Sequence, residues 1–289
     1  MPLSLPAFRR TQTRNLDALQ PLRDEKNGAR LRDIYDSYFE IVLAETDEQR
    51  RAAFRLRYEV YCVEHPFEDP EKNPGGMETD AHDSDALHAL LTHRLSGNLV
   101  GTVRLILPRR GKDHISLPIR DVCHQQVMIR DNPALPWSHT AEISRFAISK
   151  SFRRRSNEET SVGSFTTQGE DARRIIPNTS LGLMQAIVMM AAKAGVTHLC
   201  AVMEPTLLRM LRRLGICFIP AGPQVDYHGW RQPCYADLDV LLTRIWLERT
   251  DVWELITLDG GLWPLNTELA ASLRAKIMED SRTTPPALT

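Results

Sequence analysis

Residues 141–150 read AEISRFAISK. Glu142, Ser144, Phe146 and Ile148 alternate with Ala141, Ile143, Arg145 and Ala147. Period two through a run containing β-branched residues predicts a strand with two distinct faces. Glu142 is the odd residue in it. A carboxylate early in an apolar strand must be paired, protonated or working, because burying it unpaired costs roughly several kcal/mol. One reading is a structural ion pair with an arginine such as Arg104. The other is a proton acceptor, placed just ahead of a basic turn formed by Lys150, Arg153, Arg154 and Arg155. A base followed by clustered cations suits transfer of a group carried on a phosphorylated or acidic donor.

Upstream of that strand, Met1 to about Asp36 is polar and broken by Pro2, Pro6, Pro21 and Gly28, and predicts a loosely packed arm. Tyr38–Ala44 is a β-type run. Thr46 and Gln49 form a capping box that opens a helix reaching roughly to Val63, with Phe54, Tyr58 and Tyr61 on one face and Arg57 beside them. The long polar loop from His65 to Ser84 ends in Glu78, Asp80, Asp83 and Asp85. Those four carboxylates either receive a cationic group or are simply solvated. His82 and His88 lie nearby, but no spacing here fits a zinc site, so no metal is expected. Ala86–His93 and Leu99–Leu107 predict a hairpin turning at Ser96-Gly97-Asn98, with Arg104 in its second strand. Pro108–His139 reads as irregular, apart from a short helix over 120–129.

Downstream, 152–177 is the least regular internal stretch. Asn178-Thr179-Ser180 caps an apolar helix, LGLMQAIVMMAAKA, that closes at Gly195 and should be buried against a sheet. Strands follow at 196–203, 216–219 and 231–236, a helix opens at Pro205, and Tyr227-His228-Gly229-Trp230 makes a turn. A helical portion over 239–253, a break at Gly260-Gly261 and a short helix over 268–278 complete the chain. The order β-α-β-β-β-α-β-α-β-β predicts an α/β fold with a mixed, mostly antiparallel central sheet flanked by helices. It is not a doubly wound fold, because consecutive strands lack helices between them.

Bulk properties fit a globular chain with a substantial core: 289 residues, 42% hydrophobic and 25% charged. A formal net charge of −1 argues against general nucleic-acid binding. Five cysteines, at 62, 123, 200, 217 and 234, form no Cys-x-x-Cys pair and fit reduced thiols. No apolar run is long enough for a signal peptide or a membrane span, so a cytoplasmic location is expected.

Several separated motifs align with one family. Arg57-x-x-x-Tyr61, Phe67, Asp80-Ala-His-Asp83, Gly101-Thr-Val-Arg104-Leu105 and Glu142-Ile-Ser144-Arg145-Phe146 stand in an order and spacing similar to the acyl-homoserine lactone (autoinducer) synthases and the related N-acyl amino acid synthases. The chain resembles in particular the acyltransferases found beside the PEP-CTERM/exosortase sorting system. The resemblance runs from about residue 38 to 220. It implies a GNAT-like domain over 38–240, an N-terminal arm over 1–37 and a C-terminal helical extension and tail over 241–289.

The implied activity is N-acyl transfer from an acyl thioester, on acyl carrier protein or coenzyme A, to the amine of an amino acid or similar small molecule. No tightly bound cofactor is implied. Residue by residue, Glu142 would be the base. Arg57, Tyr61, Phe67, Asp80, Asp83, Arg104, Ser144, Arg145 and Phe146 would form the substrate pocket, with Arg145 also holding a mobile segment. Lys150, Arg153, Arg154 and Arg155 would meet the donor, although a solvated basic turn explains the last three equally well. The lactone synthases carry Phe where Tyr61 stands and Trp where Phe67 stands, positions that line their S-adenosylmethionine pocket. Arg153-Arg-Arg-Ser-Asn157 also replaces the glycine-containing pyrophosphate loop, which suits a carrier protein as donor. A lactone synthase using S-adenosylmethionine and a non-catalytic acyl-carrier sensor are the alternatives.

Overall fold

The computed structural model describes residues 30–108, 117–124, 135–150, 152 and 179–283. Eight strands lie in the order β1-β2-β3-β4-β5-β8-β6, with β7 pairing β8 alongside. They are β1 Phe39–Leu43, β2 Ala86–His93, β3 Leu99–Ile106, β4 Thr140–Ile148, β5 His198–Met203, β6 Ile219–Pro220, β7 Val225–Asp226 and β8 Trp230–Asp237. Every pairing is antiparallel except β4 with β5. The expected mixed, mostly antiparallel α/β architecture is therefore the one the chain adopts.

Strand β4 departs from simple alternation. Arg145 has φ 50°, in the left-handed region that a non-glycine residue rarely occupies. The β3–β4 register slips there: Arg104 faces Ser144, but Thr102 faces Ala147, so Val103 stands opposite two residues. This is a β-bulge. It overturns the expected alternation, because Ser144 and Arg145 now reach the same side of the sheet and Phe146 turns to the other. The pairing of β4 with β5 covers only Thr140–Ile143. Beyond Ile143 the strand runs on without a β5 partner.

One sheet face carries the main core. Helices α1 (Leu31–Tyr38), α4 (Thr179–Ala194), α6 (Leu238–Glu248) and α7 (Thr250–Thr257) contribute to it. The apolar helix α4 is buried from Thr179 to Val188 and ends at Gly195, whose φ of 67° a side chain would resist. Residues 31–37, read above as part of an arm, join Tyr38, read as the start of a strand, in α1, where Tyr35 is wholly buried. Its hydroxyl donates to Thr179 O at 3.2 Å and accepts from Gly182 N–H at 2.9 Å. The helix expected over 239–253 is two helices broken at Arg249, where φ −142° and ψ 73° leave the helical region. Leu241, Ile245, Val252 and Leu255 all lie in the main core. The last helix, α8, extends over Thr267–Thr283.

The opposite face carries α2 (Asp47–Tyr58) and a smaller apolar cluster. The Thr46 capping box is present, with Gln49 N–H donating to Thr46 Oγ1 at 3.2 Å. Helix α2 then widens into a π-helix over Glu59–Glu64. Helix α3 covers Ile119–Val122, shorter than the helix expected from 120 to 129, whose later part falls outside the described residues. The strand expected over 216–219 reduces to Ile219–Pro220. Helix α5 (Pro205–Arg213) follows β5 and buries Leu211. No helix among the described residues is long and apolar enough to cross a membrane.

Candidate active site

Strand register assembles the site. His88 pairs with Arg104, and Arg104 with Ser144, making one cross-strand row on the face opposite α4. The adjacent row on that face runs Ala86, Ile106, Glu142, Cys200, Tyr235. Residues i and i+2 of a strand share a face, so Glu142 and Ser144 point the same way, one rung apart.

The first row anchors a lattice of ion pairs. Arg104 Nη1 donates to Asp80 Oδ1 at 2.6 Å and to Asp83 Oδ1 at 2.7 Å, while its Nε donates to Ser144 Oγ at 2.9 Å. Arg57, from α2, donates to Glu78 at 2.5 Å and to Asp83 at 2.7 Å. Arg145, turned inward by the bulge, donates to Glu78 at 2.8 Å, Glu68 at 3.1 Å and Asp80 at 3.3 Å. Its guanidinium also lies 5.5 Å from the Tyr61 ring centre. The structure thus brings Arg57, Tyr61, Asp80, Asp83, Arg104, Ser144 and Arg145 together.

Glu68 and Glu78 complete this lattice, and sequence reasoning carried neither forward as a site residue. Glu78 was visible in the acidic run before β2. Glu68 gave no signal, because an acidic residue in a polar loop is unremarkable until its partner is known.

The charges do not cancel. Three guanidiniums, Arg57, Arg104 and Arg145, face four carboxylates, Glu68, Glu78, Asp80 and Asp83. Burial pushes Asp80 and Asp83 up, but Arg104 in the first case and Arg57 in the second hold both below the usual carboxylate range. Glu78 is lowered in the same way by Arg145 and Arg57. His88, 3.6 Å from Asp83 and packed edge-on to Phe54, is pushed down to about 4 by burial despite that carboxylate, and so is neutral near pH 7. The lattice therefore carries one excess negative charge. Its exposed members are Glu68 and Asp80, at 30% and 27%, against 2% for Glu78 and 10% for Asp83. Glu68 and Asp80 are therefore the lattice carboxylates most accessible from solvent.

Glu142 stands beside this lattice without joining it. The ion pair with Arg104 weighed above does not form, since Arg104 is taken up by Asp80, Asp83 and Ser144. Glu142 is 4% exposed and Oε2 accepts the Ile119 N–H at 2.8 Å. The smaller apolar cluster surrounds it, with Ile106, Leu117, Ile119, Trp137 and Cys200 as members. Burial pushes its pKa up to about 8, against the pull of the Ile119 hydrogen bond and the Arg104 charge. Such a carboxyl is largely protonated at pH 7 and exchanges its proton close to that pH.

Among the described residues, the remaining expected site residues make no ion pair in the lattice itself. Phe146, moved to the other face by the bulge, packs against the main core. Phe67 is 36% exposed and stacks on His65, ring centres 5.5 Å apart. Lys150 donates its backbone N–H to Glu64 at 2.8 Å and its ammonium to Glu64 O at 3.0 Å, which fastens the end of β4 to the π-helix. Arg153, Arg154 and Arg155 fall outside the described residues. Among the described residues no group of three or more His, Cys, Asp or Glu side chains is arranged to hold a metal ion.

Comparison with known proteins agrees with this fold. Residues 56–162 match the family model described as an acetyltransferase (GNAT) domain. No curated protein matches the chain. Among solved structures, TofI in a ternary complex with an inhibitor and MTA is 21% identical, with 73% of this chain and 99% of that one covered and a TM-score of 0.48. BjaI, a CoA-dependent acyl-homoserine lactone synthase with SAM and isopentyl-CoA, is 20% identical over 76% of this chain and 99% of its own, TM-score 0.45. FeeM, an N-acyl amino acid synthase from uncultured soil microbes, is 15% identical over 71% and 93%, TM-score 0.44. The stretch from Arg57 through β4, which holds the ion lattice and Glu142, lies within the residues that are similar to a GNAT acetyltransferase domain.

Proposed function

We propose that the protein is an N-acyltransferase that moves a fatty acyl group from a thioester to the amine of an amino acid or similar small molecule. The observation that carries this reading is the placement of Glu142. A carboxyl that titrates near pH 8 stands one rung from a lattice with one excess negative charge, on the strand that leaves β5 at Ile143.

The lattice draws in an ammonium. Glu142 in its ionised form then takes a proton from the nitrogen, directly or through one water. The free amine attacks the thioester carbonyl: the carbon–nitrogen bond forms, the carbon–sulfur bond breaks, and Glu142 passes its first proton to the departing sulfur; the second proton that the nitrogen sheds as the amide forms goes to the ionised Glu142 and from there to solvent. A thioester is already activated, so no covalent enzyme intermediate is needed. Past Ile143 the strand has no β5 neighbour, which leaves room for the thioester to approach the strand edge. A donor carried on an acidic carrier protein suits α5, whose Arg209, Arg212 and Arg213 follow directly on β5. On the strength of the motif order quoted above, the same reading includes work alongside the PEP-CTERM/exosortase system, in the cytoplasm.

The test is to incubate the purified chain with acyl carrier protein thioester or acyl-coenzyme A and a pool of amines, and to identify products by mass spectrometry. Acyl amides support the proposal. A lactone formed from S-adenosylmethionine, or tight donor binding with no product, overturns it in favour of the lactone synthase or the non-catalytic sensor.

A further inference from the structure

The turn between β7 and β8 is more than a connection. Asp226 pairs with Trp230, which leaves Tyr227-His228-Gly229 as a three-residue tip, with His228 at φ 52° and Gly229 at φ 90°. The tip is joined by rings to the loop after the π-helix. Tyr227 meets His228 edge-on at 4.8 Å, His228 lies 6.2 Å from Phe67, and Phe67 stacks on His65. Arg231 covers the Phe67 ring at 5.5 Å. Tyr227 and Phe67 nevertheless remain 40% and 36% exposed, so this bridge presents apolar surface to solvent. Burial pushes the Tyr227 hydroxyl up, the Arg145 charge pulls it down, and the Glu142, Glu68 and Asp80 carboxylates raise it. Phe67 directly precedes Glu68 in the chain, so the aromatic bridge runs to the neighbour of one of the lattice's two more exposed carboxylates.

We propose that the Tyr227-His228-Gly229 tip, facing Phe67, is the acceptor-specificity element: it selects a primary amine that carries an apolar body. The ammonium docks at Glu68 and Asp80, and the body lies against the Tyr227 and Phe67 rings. The two halves of such a ligand match the two surfaces placed side by side here, carboxylates and exposed aromatic rings. An amine without an apolar body finds only the first half. The inference rests on the acyl-transfer reading above and adds to it the element that chooses the acceptor.

The experiment compares 2-phenylethylamine with ethanolamine as acceptors, using wild type, Tyr227→Ala and Trp230→Ala. Trp230 is exposed and, one residue from Arg231 on β8, points to the other face, so its replacement controls for damage to the hairpin. Tyr227→Ala should raise KM for 2-phenylethylamine about tenfold, the scale of one lost apolar contact. Its kcat should stay within about threefold, and KM for ethanolamine and all constants of Trp230→Ala should not move. Tyr227→Phe should restore the wild-type preference. Equal effects of Tyr227→Ala on both amines, or an unchanged preference, overturn the assignment while leaving the acyl-transfer reading in place. A wild-type protein that acylates no amine removes that reading and this inference with it.

Discussion

The backbone N–H of Ile119 reaches Oε2 of Glu142 at 2.8 Å, and this bond ties the Leu117–His124 segment to the central strand. It also fixes where the proton of that carboxyl can reside, because the oxygen that accepts from Ile119 is engaged. With its pKa pushed up to about 8 by burial, Glu142 becomes an effective base only as pH rises through that value. The kcat of amide formation should therefore climb between about pH 7 and 9. Glu142→Gln should lower kcat by at least about 10²-fold and abolish that climb, leaving acceptor KM within a few-fold. A pH–rate series on both proteins checks this, and an unchanged rate in the variant removes the base assignment.

The same carboxyl has a consequence for stability. Its folded-state pKa of about 8 lies above its ordinary value of 4.5, so the folded chain holds a proton that the unfolded chain releases. The contribution is fully present below about pH 4.5 and is lost as pH rises through 8. Glu142→Gln, which has no charge to bury, should be the more stable protein at pH 9, with the gap shrinking steadily toward pH 5. Thermal unfolding of both proteins across that range measures it.

Removal of Arg104 should be among the most damaging changes to the fold. Arg104→Ala strands Asp80 and Asp83 without their shared cation, and breaking a buried pair on one side costs about 3–5 kcal/mol. Arg104→Lys should recover only part of this, since one ammonium cannot reproduce the contacts to Asp80, Asp83 and Ser144 at once. The lattice carboxylates have depressed pKa values, so their stabilisation is present above the ordinary carboxylate range and disappears as pH falls below it. The wild-type advantage over Arg104→Ala in urea unfolding should accordingly narrow on acidification from pH 6 toward pH 3.

Gly182 tests the back of the sheet. A methyl group there would stand 2.5 Å from Tyr35 Oη and 2.7 Å from Leu91 Cδ1. Gly182→Ala should cost about 1–3 kcal/mol through overpacking, even though alanine favours helices. Tyr35→Phe should cost about 1 kcal/mol by removing the hydroxyl that links α1 to α4. Denaturant midpoints distinguish the two effects.

A carrier-protein donor predicts salt dependence. Reversing Arg209, Arg212 and Arg213 to Glu should depress kcat/KM for an acyl carrier protein thioester by about tenfold or more at low salt. It should leave a short pantetheine thioester nearly unaffected. Equal losses with both donors would place the carrier elsewhere.

Local rules were enough to read much of the fold. Thr46 with Gln49, the turn at Ser96-Gly97-Asn98, the apolar helix closed by Gly195 and the Pro205 helix start each carry their own chemistry, and the structure has each in place. What resisted reading depends on distant partners. Arg145 sits in a conformation that glycine would have advertised, and it is held there by Glu78, Glu68 and Asp80, 65 to 77 residues away. Helix α1 is short and is kept by the buried Tyr35, with Leu31, Ile34 and Tyr38 packed against the main core. Tyr227-His228-Gly229-Trp230 was legible as a turn, but nothing local tells that Phe67 lies across from it. The motif residues Arg57, Asp80, Asp83, Arg104 and Ser144 were legible as a set, while the reason they belong together, a shared lattice of charges, required the register of β2, β3 and β4.

The bulge at Arg145 divides β4 into two halves that are out of phase. Chain length in this strand is therefore counted from two origins, one at Thr140 and one at Ile148. Deleting Arg145 would straighten the ladder, with Phe146 and Ala147 on their present sides, and would take from Glu68, Glu78 and Asp80 the guanidinium that the bulge presents to them. The additional residue is what lets a single strand offer two successive side chains, Ser144 and Arg145, to the same cluster of charges.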